Sequence, residues 1–278
     1  MSNKVIAVVI DGLRYDKASE ALGYIQHLVE ANQAAFYKVK SELPSLSRPL
    51  YEVLLTGTKA SENGITANQI VRLSKEKSLF HLTKENGLRN AAAAYYWVSE
   101  LYNRAPFDFI EDRLQIDESK PIQYGSFYWE DDYPDSHLLA DAESLRRKYN
   151  PDFLYIHPMG VDLKGEQFGS ESKEYREQVL RIGQLLAQLV PIWMKEGYHI
   201  VITSDHGMSE SGNHGGTTQG EREVPLFIIS SEVEPGVYEE EVPQLAIAPL
   251  VCQLLEIEPS EKMISYTLPG LKKEKVIH

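Results

Sequence analysis

The 278-residue sequence predicts an α/β fold in which a mostly parallel central sheet is covered by helices on both faces. Short apolar, β-branched runs alternate with longer segments of helical spacing, the pattern of strand–helix–strand units. With 42% apolar and 25% charged residues, the composition is that of an ordinary globular protein. The predicted strands, in order, are Val5–Ile10, Ala35–Lys40, Ala91–Val98, Phe153–His157, His199–Thr203 and Leu226–Ser230.

Helical spacing fills the stretches between these strands. Gly197 stands where a helix commonly ends, and Pro191 is expected to kink or split the long helix before it. Residues 102–133 are rich in aromatic residues, Asp and Pro, break the alternation and are predicted to form an insertion over the sheet edge. The predicted helices are Ala18–Ala31, Arg48–Leu55, Leu79–Glu85, Asp135–Lys148, Lys173–Glu196 and Gln244–Glu256.

Charge and composition exclude several classes of function. Lys and Arg number 28 against 41 Asp and Glu, a net charge of −13, which disfavours broad nucleic-acid binding. The sequence has neither an apolar run of 18 residues nor a signal peptide, so we expect a cytoplasmic protein with no membrane partner. Its single cysteine, Cys252, fits a reducing compartment. A small anionic substrate is compatible with this charge if bound metals supply positive charge.

Acidic residues follow three of the apolar strands. Asp11, Asp162 and Asp205 stand at or just past the strand ends. Ligands of open α/β sheets bind at the carboxyl ends of the strands, so the three carboxylates are expected to converge there. Any one of them alone fits a helix N-cap or a turn equally well.

Two histidines in glycine-rich loops extend this set. His206 and His214 are candidate ligands, and imidazole with carboxylate suits zinc, manganese or iron(II). Glu166 follows Asp162 past an expected glycine turn and is a further ligand or, alternatively, an exposed residue paired with Lys164. Six side chains are too many for one open four-coordinate site, so we predict two divalent transition-metal ions.

Ser47 is the candidate nucleophile of this site. It lies after a strand and just ahead of Pro49, which favours a helix start there, and helix N-terminal amides favour an anion. A metal would lower the pKa of the Ser47 hydroxyl and so activate it without a Ser–His–Asp triad. The alternative is that Ser47 only caps the helix.

The ordered segments resemble the alkaline phosphatase superfamily, and most closely its nucleotide pyrophosphatase/phosphodiesterase (type I phosphodiesterase) branch. The resemblance implies an alkaline phosphatase-like three-layer sandwich, with residues 1–278 as one catalytic domain and a small cap-like insertion at 102–133. The segments that carry it are Val9–Arg14, Pro44–Pro49, Leu55–Gly57, Asn63–Asn68, His157–Gly169, Ser204–Met208, His214–Gly216 and Arg222–Pro225.

This resemblance also implies a chemistry. Ser47 attacks phosphorus, and the resulting phosphoseryl intermediate is then hydrolysed. The expected substrates are small phosphate esters or nucleotides, with a phosphodiester or nucleotide pyrophosphate bond cleaved, and the expected metal is zinc, with manganese as the alternative. One metal site comprises Asp11, Ser47, Asp205 and His206, and the other comprises Asp162, Glu166 and His214.

Two residues depart from the family pattern. Glu166 stands in place of a histidine, which adds negative charge and favours manganese, and Leu50 stands in place of a phosphate-binding asparagine. Arg48, Asn68 and Lys164 are the candidates to replace that asparagine. Two alternative functions stay open: a phosphomonoesterase or phosphonoacetate-type hydrolase, and a catalytically weak sensor that binds a nucleotide or a metal. The sequence leaves the oligomeric state undetermined.

Overall fold

A nine-stranded sheet forms the centre of the computed structural model, which describes residues 3–272. Its strands lie in the order β4-β5-β3-β6-β1-β7-β8-β2-β9. The strands are β1 (Lys4–Val9), β2 (Ala35–Lys40), β3 (Asn90–Tyr95), β4 (Leu114–Ile116), β5 (Tyr124–Tyr128), β6 (Phe153–Ile156), β7 (Tyr198–Thr203), β8 (Glu223–Ile229) and β9 (Gly236–Pro243).

Parallel pairing dominates this sheet. Strand β1 pairs in parallel with β6 and β7, β3 with β5 and β6, and β2 with β9. Strand β8 runs antiparallel to both β2 and β7, and β4 runs antiparallel to β5. The predicted mostly parallel sheet is therefore confirmed.

Helices cover both faces of the sheet, as predicted. They are α1 (Tyr15–Ala21), α2 (Gly23–Glu30), α3 (Ser47–Thr56), α4 (Ala60–Asn63), α5 (Leu79–Glu85), α6 (Trp97–Tyr102), α7 (Asp135–Tyr149), α8 (Gly160–Phe168), α9 (Lys173–Lys195), α10 (Gln219–Arg222) and α11 (Ile247–Leu254). Alternate residues of β1 enter different cores: Val5, Ala7 and Val9 pack with α3, α5, α6 and α11, while its other apolar side chains pack with α1, α2, α7 and α9.

Three predicted elements differ in the structure. The helix predicted at Ala18–Ala31 is two helices, because the backbone leaves the helical region at Leu22 (φ −80°, ψ 58°). The strand predicted at Ala91–Val98 ends at Tyr95, where α6 follows almost at once. Pro191 was expected to kink or split the long helix, and α9 continues through it without a split. Pro191 is exposed there, so water can bond the carbonyl that lacks its helical partner.

The segment 102–133 extends the sheet. We expected it to cover the sheet edge, but its strands β4 and β5 join that edge, with β5 parallel to β3. Strand β9 at the opposite edge was also missed, because its glutamates give no alternation of apolar and polar residues. Within residues 3–272, no helix is both long enough and apolar enough to cross a bilayer.

Candidate active site

The carboxyl ends of three neighbouring strands, β6, β1 and β7, bring the predicted acidic residues together. Asp11 follows β1, Asp205 follows β7, and Asp162 lies in the first turn of α8 after β6. Gly12 lets the chain pass closely here: its φ is +69°, and a Cβ atom at this position would lie 2.7 Å from a carboxylate oxygen of Asp162. The three strands therefore converge on one site.

Ser47 begins helix α3 at this site and is 5% exposed. Its Oγ lies 3.1 Å from His206 Nε2. The N-cap position of the helix belongs to Leu46, so Ser47 is not the cap that its sequence context also allowed. The hydroxyl is thus placed beside one of the predicted metal ligands.

Asp11, Asp205 and His206 form the first ligand group. One potential ligand atom from each lies within 4.8 Å of the other two. His206 Nε2 is 3.3 Å from Asp11 Oδ1 and 3.4 Å from Asp205 Oδ2, and all three side chains are fully buried. With Ser47 beside His206, the structure assembles the four residues predicted for this site.

A second group, Asp162, His206 and His214, also has its ligand atoms within 4.8 Å of one another. His214 Nε2 lies 3.2 Å from Glu166 Oε1 and 3.9 Å from Asp162 Oδ1. The rings of His206 and His214 stack with their centroids 4.0 Å apart, which joins the two groups. Glu166 is not past a glycine turn as expected. It lies one turn after Asp162 on helix α8, which places both carboxylates on one helical face.

The donor set fits divalent transition-metal ions. Buried Asp11 Oδ1, Asp162 Oδ1 and Asp205 Oδ2 have no hydrogen-bond partner, and buried polar atoms are rarely left so. His206 Nδ1 lies 2.8 Å from the Gly207 carbonyl and His214 Nδ1 lies 3.0 Å from the Ser45 carbonyl. We assign a donated N–H to each contact, which leaves both Nε2 atoms directed at carboxylates. A histidine that binds metal through one ring nitrogen typically donates the N–H of the other to a carbonyl in this way.

The buried charges also alter the ionisation of these groups. Burial, with the negative charge of Asp11, raises the pKa of Asp162 and of Asp205 well above the ordinary value. Burial and the neighbouring His214 lower the pKa of His206 to about 4, so its imidazole is neutral near pH 7. Burial opposes protonation of His214 too, but the hydrogen bonds with Glu166 and the Ser45 carbonyl, together with the negative charges of Asp11 and Asp205, outweigh it and raise the pKa of His214 to about 9. Bound cations would relieve this repulsion and displace the His214 proton.

Of the predicted phosphate-binding residues, Arg48 is engaged elsewhere. Its guanidinium is 1% exposed, forms a 2.7 Å ion pair with Glu100 and lies 4.6 Å from the centre of the Trp97 ring. Leu50 is buried in a small apolar cluster with Val53. The prediction that Arg48 binds phosphate was therefore wrong: its charge is neutralised inside the protein.

The other two candidates have different surroundings. Asn68 Oδ1 accepts a 3.1 Å hydrogen bond from the backbone N–H of Arg48, which fixes the Asn68 amide next to the residue that follows Ser47. Lys164 lies on α8, with its Nζ 3.3 Å from Gln167 Oε1 and 5.5 Å from the centre of the Phe168 ring. Asn68 is thus the candidate that the structure places beside the nucleophile.

Two site residues were missed by the sequence analysis. Tyr51 donates a 2.5 Å hydrogen bond to Asp11 Oδ2, and His157 Nε2 lies 3.1 Å from the same oxygen. Tyr51 follows Ser47 by one helical turn, and His157 directly follows β6. Their spacing from Ser47 and from the strand end is the signal that could have identified them.

Comparison with known proteins places this site in a family. A model of the family described as Type I phosphodiesterase / nucleotide pyrophosphatase matches residues 5–222. The chain belongs to this family. Its predicted membership in the type I phosphodiesterase branch is thereby confirmed.

Curated relatives of this type I phosphodiesterase family chain include proteins named GPI ethanolamine phosphate transferase. GPI ethanolamine phosphate transferase 2, catalytic subunit, of Homo sapiens is 25% identical over 252 residues, covering 84% of this chain and 24% of the relative. GPI ethanolamine phosphate transferase 2 of Kluyveromyces lactis is 24% identical, covering 83% of this chain and 29% of the relative. The chain spans about a quarter of the length of these relatives.

Solved structures confirm the fold. Murine ectonucleotide pyrophosphatase / phosphodiesterase 5 superposes with a TM-score of 0.73 at 13% identity, covering 92% of this chain and 96% of that structure. The human protein of the same name gives a TM-score of 0.73 at 14% identity, with coverage of 92% and 96%. The predicted alkaline phosphatase-like fold class is therefore confirmed.

Proposed function

We propose that this chain is a two-metal phosphodiesterase that cleaves small phosphodiesters or nucleotide pyrophosphates through a phosphoseryl intermediate on Ser47. The observation that carries the proposal is the position of the Ser47 hydroxyl, 3.1 Å from His206 Nε2. That nitrogen lies 3.3 Å from Asp11 Oδ1 and 3.4 Å from Asp205 Oδ2, two carboxylate oxygens that lack hydrogen-bond partners. A nucleophile next to unsatisfied metal-ligand atoms is the arrangement that phosphoryl transfer requires.

The side chains divide the chemistry between them. The residues that would hold two zinc or manganese ions are Asp11, Ser47, Asp205 and His206 at one site and Asp162, Glu166 and His214 at the other. When bound, the ions would supply charge neutralisation and a lower pKa for the serine hydroxyl. Ser47 then forms a bond to phosphorus and gives up its proton, while the leaving group, an alcohol from a diester or a phosphate from a pyrophosphate, takes the electrons of the broken P–O bond. Water next cleaves the phosphoseryl ester and restores the hydroxyl.

Charge favours a diester over a monoester. Four ligand carboxylates, Asp11, Asp162, Glu166 and Asp205, carry a formal charge of about −4, which two divalent ions only balance. A monoanionic diester adds less repulsion to this site than a dianionic monoester does. The Asn68 amide, fixed beside the nucleophile, is the group we propose as donor to a phosphate oxygen.

The proposal is tested with metal-depleted protein reloaded with zinc or manganese. We expect hydrolysis of bis-p-nitrophenyl phosphate only after reloading, at a rate above that of p-nitrophenyl phosphate. Ser47→Ala is expected to lose at least about a thousandfold in turnover while keeping its metal content, and the exposed Ser61→Ala serves as the control. Turnover of Ser47→Ala within a few-fold of wild type would exclude the proposed nucleophile.

The relatives suggest a second candidate, transfer of an ethanolamine phosphate group to an alcohol. One feature of the site supports it: Asp131 is exposed at the edge, accepts a 2.8 Å hydrogen bond from the Tyr95 hydroxyl, and its negative charge contributes to the raised pKa of Asp162. A carboxylate at that edge favours a substrate with an ammonium group.

This second candidate makes two measurable claims. Added alcohol would divert the phosphoseryl intermediate from water, so a new phosphodiester would appear with p-nitrophenol release undiminished. Asp131→Asn would reduce the preference for a p-nitrophenyl ester of ethanolamine phosphate over bis-p-nitrophenyl phosphate, whereas Asp132→Asn, one residue further along the exposed loop, would not. Equal preference in wild type and Asp131→Asn would exclude Asp131 from substrate selection.

A further inference from the structure

We propose that Tyr51 and His157 are positioning residues that hold the carboxylate of Asp11 by one oxygen so that the other faces the metal site. This inference rests on the proposed metal dependence of the chain. It concerns groups that lie outside the set of side chains proposed to hold metal or to react with phosphorus.

The two carboxylate oxygens of Asp11 have different surroundings. Oδ2 accepts a 2.5 Å hydrogen bond from the Tyr51 hydroxyl and lies 3.1 Å from His157 Nε2. Oδ1 is buried, has no hydrogen-bond partner and lies 3.3 Å from His206 Nε2. The contacts at Oδ2 therefore fix the rotation of the carboxylate and leave Oδ1 directed at the ligand group.

Both partners are themselves rigidly placed. The Tyr51 ring meets the His157 ring edge to face, with centroids 4.5 Å apart and an interplanar angle of 68°. The Tyr128 hydroxyl donates a 2.7 Å hydrogen bond to the His157 carbonyl. Neither Tyr51 nor His157 is exposed to solvent. Asp11 is thus held by side chains with little rotational freedom of their own.

Helix α3 links this contact to the nucleophile. Ser47 and Tyr51 lie four residues apart on α3, and side chains at this spacing share one helical face. The same short helix therefore places the attacking hydroxyl of Ser47 and the Tyr51 hydroxyl that orients Asp11, a proposed metal ligand. A shift of α3 would move both hydroxyls together, so the position of the Ser47 hydroxyl and the orientation of the Asp11 carboxylate depend on the same helix.

Side chains that form hydrogen bonds with a metal ligand, without touching the metal themselves, normally strengthen metal binding. Hydrogen bonds to a ligating carboxylate set its orientation before the metal arrives, and their loss typically lowers metal affinity by about 10- to 100-fold. The competing interpretation is that Tyr51 and His157 only satisfy a buried carboxylate. In that case their removal would reduce folding stability and leave the affinity of the folded protein for metal unchanged.

Tyr51→Phe removes one hydroxyl and keeps the packed ring. We expect its zinc dissociation constant, measured by competition with a chromogenic chelator, to rise by about tenfold. Tyr155→Phe is the matched control, because the Tyr155 hydroxyl is also buried, lies on β6 close to His157 and makes no hydrogen bond. We expect this control to retain the wild-type constant within about twofold.

Substitutions of His157 provide a second measurement that does not depend on the tyrosine. His157→Gln can place an amide N–H near the position of Nε2, whereas the shorter His157→Asn cannot, so zinc affinity should fall from wild type to Gln to Asn. Circular dichroism and urea unfolding establish that each variant is folded at the temperature of the titration. The order supports positioning, since loss of buried volume alone would not be repaired by the longer amide.

These titrations separate the inference from the proposed function, because they need no turnover. Wild-type affinity in folded Tyr51→Phe and in both His157 variants would overturn the positioning role, whatever the activity of the enzyme. Absence of zinc and manganese binding by the wild-type chain would overturn it as well. Weaker zinc binding by the variants would support the positioning role. If the wild-type chain also hydrolysed no tested ester, the proposed phosphodiesterase activity would be refuted while the positioning role stood.

Discussion

Glu52→Gln is expected to remove a pH-dependent loss of stability from the helix that carries the nucleophile. The carboxyl group of Glu52 lies on α3 with no exposure to solvent. It accepts hydrogen bonds from the hydroxyl of Ser74 and, at 2.7 Å, from the hydroxyl of Tyr102. Burial raises the pKa of Glu52 to about 7 from an ordinary 4.5, although both hydroxyls act in the opposite direction.

The magnitude follows from linkage between protonation and folding. The folded chain binds the Glu52 proton more tightly than the unfolded chain, so this group costs nothing below pH 4.5 and increasingly destabilises the fold as pH rises toward 7. The full effect above pH 7 is about 3 kcal/mol, at roughly 1.4 kcal/mol for each tenfold change in proton affinity. Between pH 5 and pH 8 the wild type should lose about 2 to 3 kcal/mol from this residue.

Urea unfolding at pH 5 and pH 8 measures this difference. Glutamine is uncharged at both values, so the stability of Glu52→Gln relative to wild type should rise by about 2 to 3 kcal/mol from pH 5 to pH 8. Glu62→Gln, at an exposed position on α4, controls for the loss of one negative charge. A relative stability that stays constant with pH would refute the reasoning, because Glu52 would then titrate alike in the folded and unfolded chains.

Two further predictions concern charged side chains near the site. Arg48→Met should destabilise the fold by about 3 to 5 kcal/mol in urea unfolding, because Glu100 would stay buried without its partner. Adding Glu100→Gln should restore most of that stability. A loss of unfolding free energy below about 1 kcal/mol in Arg48→Met would show that the ion pair is dispensable. Glu166→His should raise the affinity for zinc relative to manganese by about tenfold in competition titrations, since imidazole is the softer ligand, while Gln167→His, next to it on α8, should leave the ratio unchanged.

Some site residues could be predicted because the physics that places them is local. Asp11 and Asp205 each follow a run of apolar, β-branched residues, and a parallel sheet sends the ends of such strands to one edge. The same local signal located Ser47, since Pro49 two residues later marks the first turn of a helix. These positions needed no knowledge of distant contacts.

Helix α8 was not predicted because its glycines are needed for close packing against residues from other parts of the chain. We interpreted Gly165 as a turn, but it lies within the helix, where a Cβ atom would approach Met208 to 2.8 Å. At Gly160 a Cβ atom would meet side-chain atoms of Gln178 and Asp135 at 2.4 and 2.5 Å. Both glycines allow close packing, a requirement that arises from residues remote in sequence and leaves no periodic signal.

The error at Arg48 has the same origin. A cation beside a nucleophilic serine is well placed in sequence to bind phosphate, but Glu100, 52 positions further along the chain, neutralises it. The pairing depends on how α6 packs against α3, and no local pattern encodes that contact. The charge of a residue next to a nucleophile is therefore weaker evidence for substrate binding than its position suggests.

Helix α3 shows why apolar spacing could locate an element and still leave its contribution to the site unpredicted. All ten of its residues are buried, although two of them are charged. A helix buried all round is usually apolar, because each unpaired polar group inside a protein raises the free energy of the fold. Here Ser47 and Tyr51 contact the ligand groups, while Arg48 and Glu52 are held by ion-pair and hydroxyl partners. Those partners fix the helix in rotation as well as in position, which a purely apolar interface would do less strictly. We therefore attribute the placement of the nucleophile to this set of buried polar contacts, and we expect their loss to disturb the site before it unfolds the domain.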